Sequence, residues 1–150
     1  MTIYIGADHR GFALKERLKE SLKEEAYDVI DMGAPQAVPD DDYPVYAAAV
    51  ARKVAASPLE SRGILICGSG FGVDIVANKF DGVRSALAMS PDHAYQGRHD
   101  DDVNVLSIPG DFVDDATAVR IIKVFMTTPF AREEKYSRRL AEIAEIEQTN

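Results

Sequence analysis

The chain has 150 residues, 46% of them hydrophobic, and 25 acidic against 17 basic side chains leave a net charge of −8 at pH 7. A chain of that size buries roughly 68–70% of the surface it exposes when unfolded, so one core holds without disulfides or a structural metal. The acidic balance repels phosphate backbones and argues against nucleic acid, since the one basic run, Arg132 to Arg139, is interrupted by glutamates. No apolar run approaches the roughly 20 residues of a membrane span, and the first residues read as a strand and not as a signal peptide. The expectation is a single domain over residues 1–150, cytoplasmic and without a membrane partner. Cys67, the only cysteine, has no partner for an internal bridge.

Short β-rich runs alternate with helical patterns throughout, the mark of βαβ units and a parallel sheet covered on both faces. Ile3-Tyr4-Ile5 is a first strand ending at Gly6. It leads through Asp8-His9-Arg10-Gly11 into an amphipathic helix whose Leu14, Leu18 and Leu22 fall four apart. Val29-Ile30 is a short strand stopped by Gly33, and a Pro- and Asp-rich loop from Ala34 to Tyr43 follows. Pro44 suits the first turn of a helix that turns Ala47, Val50, Ala51 and Val54 inward and ends near Ser57-Pro58.

Gly63-Ile64-Leu65-Ile66-Cys67 is apolar enough for a central strand buried on both faces, and it runs straight into Gly68-Ser69-Gly70-Phe71-Gly72. Beyond it the pattern predicts a helix to about Lys79, a strand from Val83 to Met89 and a short helix from Pro91. An acidic loop from His99 to Asp102 and a strand from Asn104 to Ile108 come next. Two helices close the chain. One starts near Asp114 with Val119, Ile122 and Met126 inward, and one follows Phe130 with Leu140, Ile143 and Ala144 repeating.

In open parallel α/β sheets, ligands bind beyond the carboxyl ends of the strands, which directs attention to Asp8-His9, Cys67 with its glycine loop, and His99 to Asp102. The glycine loop allows close approach of a ligand and aims backbone N–H groups at an anion. It is not a phosphate-binding P-loop, because no Gly-Lys-Ser/Thr follows, and it lacks Gly-x-Gly-x-x-Gly spacing. A cysteine phosphatase would carry arginine where Val73 stands. A free cysteine is more often a small core hydrophobe than a reagent. Beside such a loop, however, thiolate is favoured, and it can remove a proton next to a carbonyl while the loop N–H groups hold the enediolate that develops. Asp8 and His9 read either as a helix cap or as a pair that binds sugar hydroxyls and moves protons during ring opening. Asp100, Asp101 and Asp102 do not converge as a metal cluster would, because consecutive residues point apart. Lys135 and Arg139, four apart on the last helix, read as a solvated face or as a joint grip on phosphate.

Taken together, Gly6 to Phe12, Asp42-Tyr43-Pro44, Gly63 to Gly72, Ala77-Asn78-Lys79 and Asn104-Val105-Leu106 resemble the type B ribose-5-phosphate isomerase family, which includes galactose-6-phosphate isomerase subunits. The resemblance implies a three-layer αβα sandwich of flavodoxin or Rossmann type with a five-stranded parallel sheet. It also implies a homodimer or dimer of dimers with sites between subunits, the helix over about 131–147 packing on the partner. The activity it implies is conversion of ribose 5-phosphate to ribulose 5-phosphate through an enediolate, without metal or cofactor.

By position, Cys67 is the base and Ser69 the hydroxyl beside it, and Gly68, Gly70, Phe71 and Gly72 belong to the loop that holds the enediolate. Asp8, His9 and Tyr43 match the lining of the sugar site, and Arg139 matches a phosphate-binding arginine. Several positions depart from the family pattern. Asp100 and Asp101 stand where His-Asn is common, with His99 one residue early, so ring opening falls to His99, Asp100 or His9. Asp111 stands where an arginine is frequent, and Lys135-Tyr136 replace Arg-His. The phosphate grip then rests chiefly on Lys135 and Arg139. The alternatives are the same chemistry on another sugar, such as a four- or six-carbon sugar phosphate, and a sugar-binding subunit without turnover.

Overall fold

A computed structural model describes residues 1–149. The elements are β1 (Thr2–Ala7), α1 (Phe12–Glu24), β2 (Asp28–Asp31), α2 (Tyr43–Ala56), β3 (Ser61–Cys67), α3 (Phe71–Ala77), β4 (Ser85–Leu87), α4 (Pro91–Asp101), β5 (Val105–Pro109), α5 (Asp115–Thr127) and α6 (Glu134–Thr149). All strand pairs are parallel, and the sheet runs β2-β1-β3-β5-β4. The three-layer architecture is the one expected from the alternating pattern. Relative to the flavodoxin order 2-1-3-4-5, the last two strands trade places.

Crossovers to the left and right of β1 send helices to opposite faces of the sheet. Leu14, Leu18 and Leu22 of α1 pack with Ile121 and Phe125 of α5 on one face, and Val50 and Val54 of α2 with Val73 of α3 on the other. Ile64, Leu65 and Ile66 of β3 lie between them, fully buried. The chain leaves β1 for β2 on one side and returns to β3 on the other. The carboxyl ends of β1 and β3 therefore open on a shared crevice, the place where such sheets bind ligands.

The structure differs from the sequence reading at three places. His99 to Asp101 are the last turn of α4 and not a loop, because Asp102 adopts a left-handed conformation (φ 47°) and turns the next N–H, that of Val103, back onto the Gly97 carbonyl at 3.0 Å. β4 is only three residues long. On its outer side the Asn78 amide takes both backbone groups of Ser85, at 2.8 and 3.0 Å, as a neighbouring strand would. In α5 the buried stripe is Ala118, Ile121, Ile122 and Phe125, while Val119 and Met126 sit at the seam with α1. No residue of α6 is buried, so the stripe of Leu140, Ile143 and Ala144 finds no core in its own chain, and Ile143 and Ile146 stand 40% and 58% exposed.

Gly11, just ahead of α1, packs directly on β3. A Cβ there would lie 2.6 Å from the Ile66 carbonyl oxygen, and backbone cannot yield as a flexible side chain does. Gly11→Ala is expected to lower stability by about 1–3 kcal/mol. Thermal unfolding checks this, with a fall of about 2–4 °C per kcal/mol for a chain of this length.

Candidate active site

The ladder between β1 and β3 runs on past the strands, because the Asp8 N–H donates to the Ile66 carbonyl at 3.3 Å. Asp8, which is buried, turns its carboxylate onto the Gly11 N–H at 2.9 Å and so closes the turn that leads into α1, whose N-cap is Gly11 and carries no side-chain cap. His9 faces the crevice with its side chain 31% exposed. Asp41 holds it twice through one oxygen, accepting from the His9 N–H at 2.8 Å and meeting Nδ1 at 2.7 Å. With Nδ1 engaged, Nε2 is the nitrogen left for a ligand. Burial works to raise the Asp41 carboxyl, but the His9 N–H and ring and the Tyr46 hydroxyl outweigh it and hold the group below the ordinary carboxylate range.

Across the crevice Cys67 ends β3, buried, and its Sγ accepts the Gly70 N–H at 3.1 Å. A thiolate takes such a bond more strongly than a thiol. Gly70 sits at φ 77°, which favours glycine, and a Cβ would meet Leu87 at 2.3 Å. At Gly72 a Cβ would stand 2.6 Å from the Tyr43 ring, which places that ring on the loop. Ser69 is half-buried and Phe71 exposed at the start of α3. Asp8, His9, Tyr43, Cys67 and the loop from Gly68 to Gly72 therefore lie together at the carboxyl ends of β1 and β3.

The remaining candidates lie elsewhere. α4 runs back against the strands, so His99 and Asp100 reach the amino end of β5. That end is one sheet height from Cys67, roughly 20 Å for a strand of seven residues. There the His99 ring stacks on Tyr95 one helical turn earlier, at 5.0 Å, and meets Tyr136 edge-on at 6.0 Å. His99 Nδ1 lies 2.6 Å from Asp100. The Asp100 carboxyl is lowered by that bond first, against burial, and further by the Tyr136 hydroxyl and the charges of His99 and Lys135. Lys135 sits over the Tyr136 ring at 4.5 Å and 3.2 Å from Glu133, which raises its ammonium above the ordinary range.

Arg139 is exposed and pairs with no carboxylate among the described residues. Asp101 is set apart from this group: it borders the groove between β4 and α6, and its carbonyl accepts from Arg84. Asp102 is bound by Arg84 and Arg98 at 2.8 and 2.7 Å, so the three aspartates diverge. Among the described residues no His, Cys, Asp and Glu side chains gather as a metal set, and no helix is long and apolar enough to cross a membrane.

A model of the ribose/galactose isomerase family matches residues 3–143. The chain belongs to that family. Similar proteins include the ribose-5-phosphate isomerase B of Mycobacterium tuberculosis, 40% identical over 150 residues that span all of this chain and 92% of the relative. The structure of the Mycoplasma genitalium isomerase B with bound ribulose-5-phosphate superposes with a TM-score of 0.96 at 37% identity, over 99% of this chain and 97% of that one. The Trypanosoma cruzi type B enzyme gives 0.93 at 36% identity over the whole of both chains.

Two residues at this end of the sheet carry no local mark in the sequence. Asp41 was hidden in an acidic loop where nothing local marks it apart from Asp40 and Asp42. Arg10 lies over the glycine loop and was visible only as a neighbour of Asp8-His9. A folded-state carboxyl below its unfolded value contributes stability that is complete above about pH 4 and is lost as pH falls through the lower folded value. Asp41→Asn is therefore expected to lower the melting temperature near neutral pH, with the gap from the parent closing below about pH 4. A gap that persists undiminished in acid would assign the loss to packing.

Proposed function

We propose that the chain interconverts ribose 5-phosphate and ribulose 5-phosphate in the cytoplasm, as a homodimer or dimer of dimers, by proton transfer through an enediolate. The observation that carries this reading is the Gly70 N–H donated to the Cys67 sulfur at the crevice between β1 and β3. It stands in a fold that superposes on a relative holding ribulose-5-phosphate.

In the direction of ketose formation, the Cys67 thiolate takes the proton from C2 of the open-chain aldose. The electron pair moves into the C1–C2 bond, and the negative charge collects on the former carbonyl oxygen. In this reading the backbone N–H groups of the loop other than that of Gly70, which the sulfur holds, stabilise that oxygen, and Ser69 exchanges the proton between O1 and O2. Cys67 then returns its proton to C1, so no net proton is gained or lost. Tyr43 forms a wall of the sugar site. Asp8 sets the turn that presents His9, whose Nε2 serves the ring oxygen during opening.

His99, Asp100, Lys135 and Arg139 cannot reach Cys67 of their own chain, and a second copy supports their use: α6 has no buried residue and carries an exposed apolar stripe. In this reading α6 packs on the partner, and the partner's end of α4 and start of α6 close the site over the phosphate. Asp101 borders the groove beneath α6 and is read as supporting that interface. A second substrate, another aldose phosphate handled by the same chemistry, is favoured by one observation, the carboxylate of Asp111 at the end of β5.

Proton NMR in D₂O tests the chemistry: ribose 5-phosphate is expected to give the ketose with deuterium taken up next to the carbonyl. Cys67→Ala is expected to abolish both signals in a folded oligomer, and a retained rate would remove Cys67 as the base. Activity is expected to survive EDTA. Arg139→Ala is expected chiefly to raise KM for the phosphorylated sugar, and an unchanged KM would put the phosphate elsewhere.

A further inference from the structure

We infer that Arg10 is the cation by which the Cys67-bearing subunit meets the substrate's phosphate, and that Asp111 holds it ready until the substrate takes its place. This rests on the isomerase reading and adds a specificity residue to it.

The guanidinium of Arg10 lies over Gly68, so close that a Cβ on that glycine would stand 2.2 Å from Cζ. One of its nitrogens donates to Asp111. Asp111 is fixed to the same loop, its N–H donating to the Gly68 carbonyl at 3.0 Å, and the Gly110 N–H before it donates to the Cys67 carbonyl at 2.8 Å. Through Asp111, Arg10 is thus tied to the backbone that leaves the cysteine and enters the glycine loop.

The charges around it leave it no substitute. Asp8, Asp41 and Asp42 lie near enough together to act jointly on the Tyr46 hydroxyl, and Asp111 adds a fourth carboxylate at this end of the sheet. Lys15, the neighbouring cation, is fully buried and engaged by Asp31, Glu16 and the Ala34 carbonyl. A dianion entering this crevice is repelled unless a guanidinium meets it.

The pairing with Asp111 does not lock Arg10 away. Their side chains are 55% and 36% exposed, and an ion pair in contact with water is weak. Arginine also keeps four further N–H donors in a fork that suits phosphate. Exchange of one carboxylate for a phosphate dianion therefore loses little and gains a doubly charged partner. Asp111 acts as a competitor that a phosphorylated sugar displaces and an uncharged sugar does not.

Kinetics on ribose 5-phosphate and on plain ribose, with inorganic phosphate as inhibitor, test this in Arg10→Gln, Arg10→Lys, Asp111→Asn and the double variant. Arg10→Gln is expected to raise KM for ribose 5-phosphate and Ki for phosphate together, roughly ten- to hundredfold, the worth of a charged hydrogen bond, with kcat changed far less. Arg10→Lys should recover part of the loss. Asp111→Asn should lower both constants, and the double variant should match Arg10→Gln. An unchanged KM in Arg10→Gln, or a rise in Asp111→Asn like that in Arg10→Gln, would overturn the inference and leave the pair as a brace on the loop. If the parent does not turn over ribose 5-phosphate, the isomerase reading fails by itself. Binding of inorganic phosphate by the same four variants, followed by calorimetry, then decides Arg10 separately.

Discussion

Everything at the crevice depends on how the end of β1 is fastened to the end of β3. The two strands pair from Thr2 against Ser61 to Ala7 against Ile66, and the Ile66 carbonyl takes one more N–H, from Asp8, beyond the last strand pair. The same carbonyl is the surface on which Gly11 rests. One peptide group of β3 therefore sets both the height at which Asp8-His9 leaves the sheet and the angle at which α1 begins. Cys67 is the next residue along β3, so the imidazole and the thiol are brought to the same crevice by backbone bonding, before any side chain contributes.

A second layer of polar contacts secures the loop that crosses this site. Lys15 is fully buried, an expensive state for an ammonium group unless several acceptors meet it. Asp31 at 2.6 Å, Glu16 at 3.0 Å and the Ala34 carbonyl at 3.2 Å do so. Burial pushes the Asp31 carboxyl up, but Lys15, Lys19 and the Gly33 N–H outweigh it and hold it low. Because Ala34 opens the loop and Asp41 nearly closes it, this anchor on α1 helps to hold the carboxylate that orients His9. The apolar core and the candidate site meet at Lys15, whose ammonium also lies 4.9 Å over the Phe12 ring.

The split of the remaining polar residues has a simple origin. In a parallel sheet each helix returns the chain to the amino ends of the strands, so residues late in a helix and residues late in a strand lie at opposite ends. His99 is late in α4 and Cys67 is late in β3. No side chain spans that height, and α6 keeps an apolar stripe exposed at Ile143 and Ile146.

The fold was largely legible in the sequence because helices and strands declare themselves in short-range patterns: Leu14, Leu18 and Leu22 for α1, the unbroken apolar run of β3, and Gly11 and Pro44 at helix starts. Cys67 and its glycine loop were legible for the same reason, since the sulfur and the backbone N–H it accepts from are neighbours in the chain. The left-handed Asp102 that lets α4 run through His99 was not, because aspartate only tolerates that conformation and Arg84 and Arg98 hold it there. Nor was the choice of Asp41 among three adjacent aspartates, or the placing of Arg10 between Gly68 and Asp111, 101 positions away in the sequence. Local pattern and residue chemistry are properties of neighbours in the chain, and the sequence alone determined them. Which of those residues share a site depends on strand order and on the direction of each returning helix, and only the tertiary structure decided that.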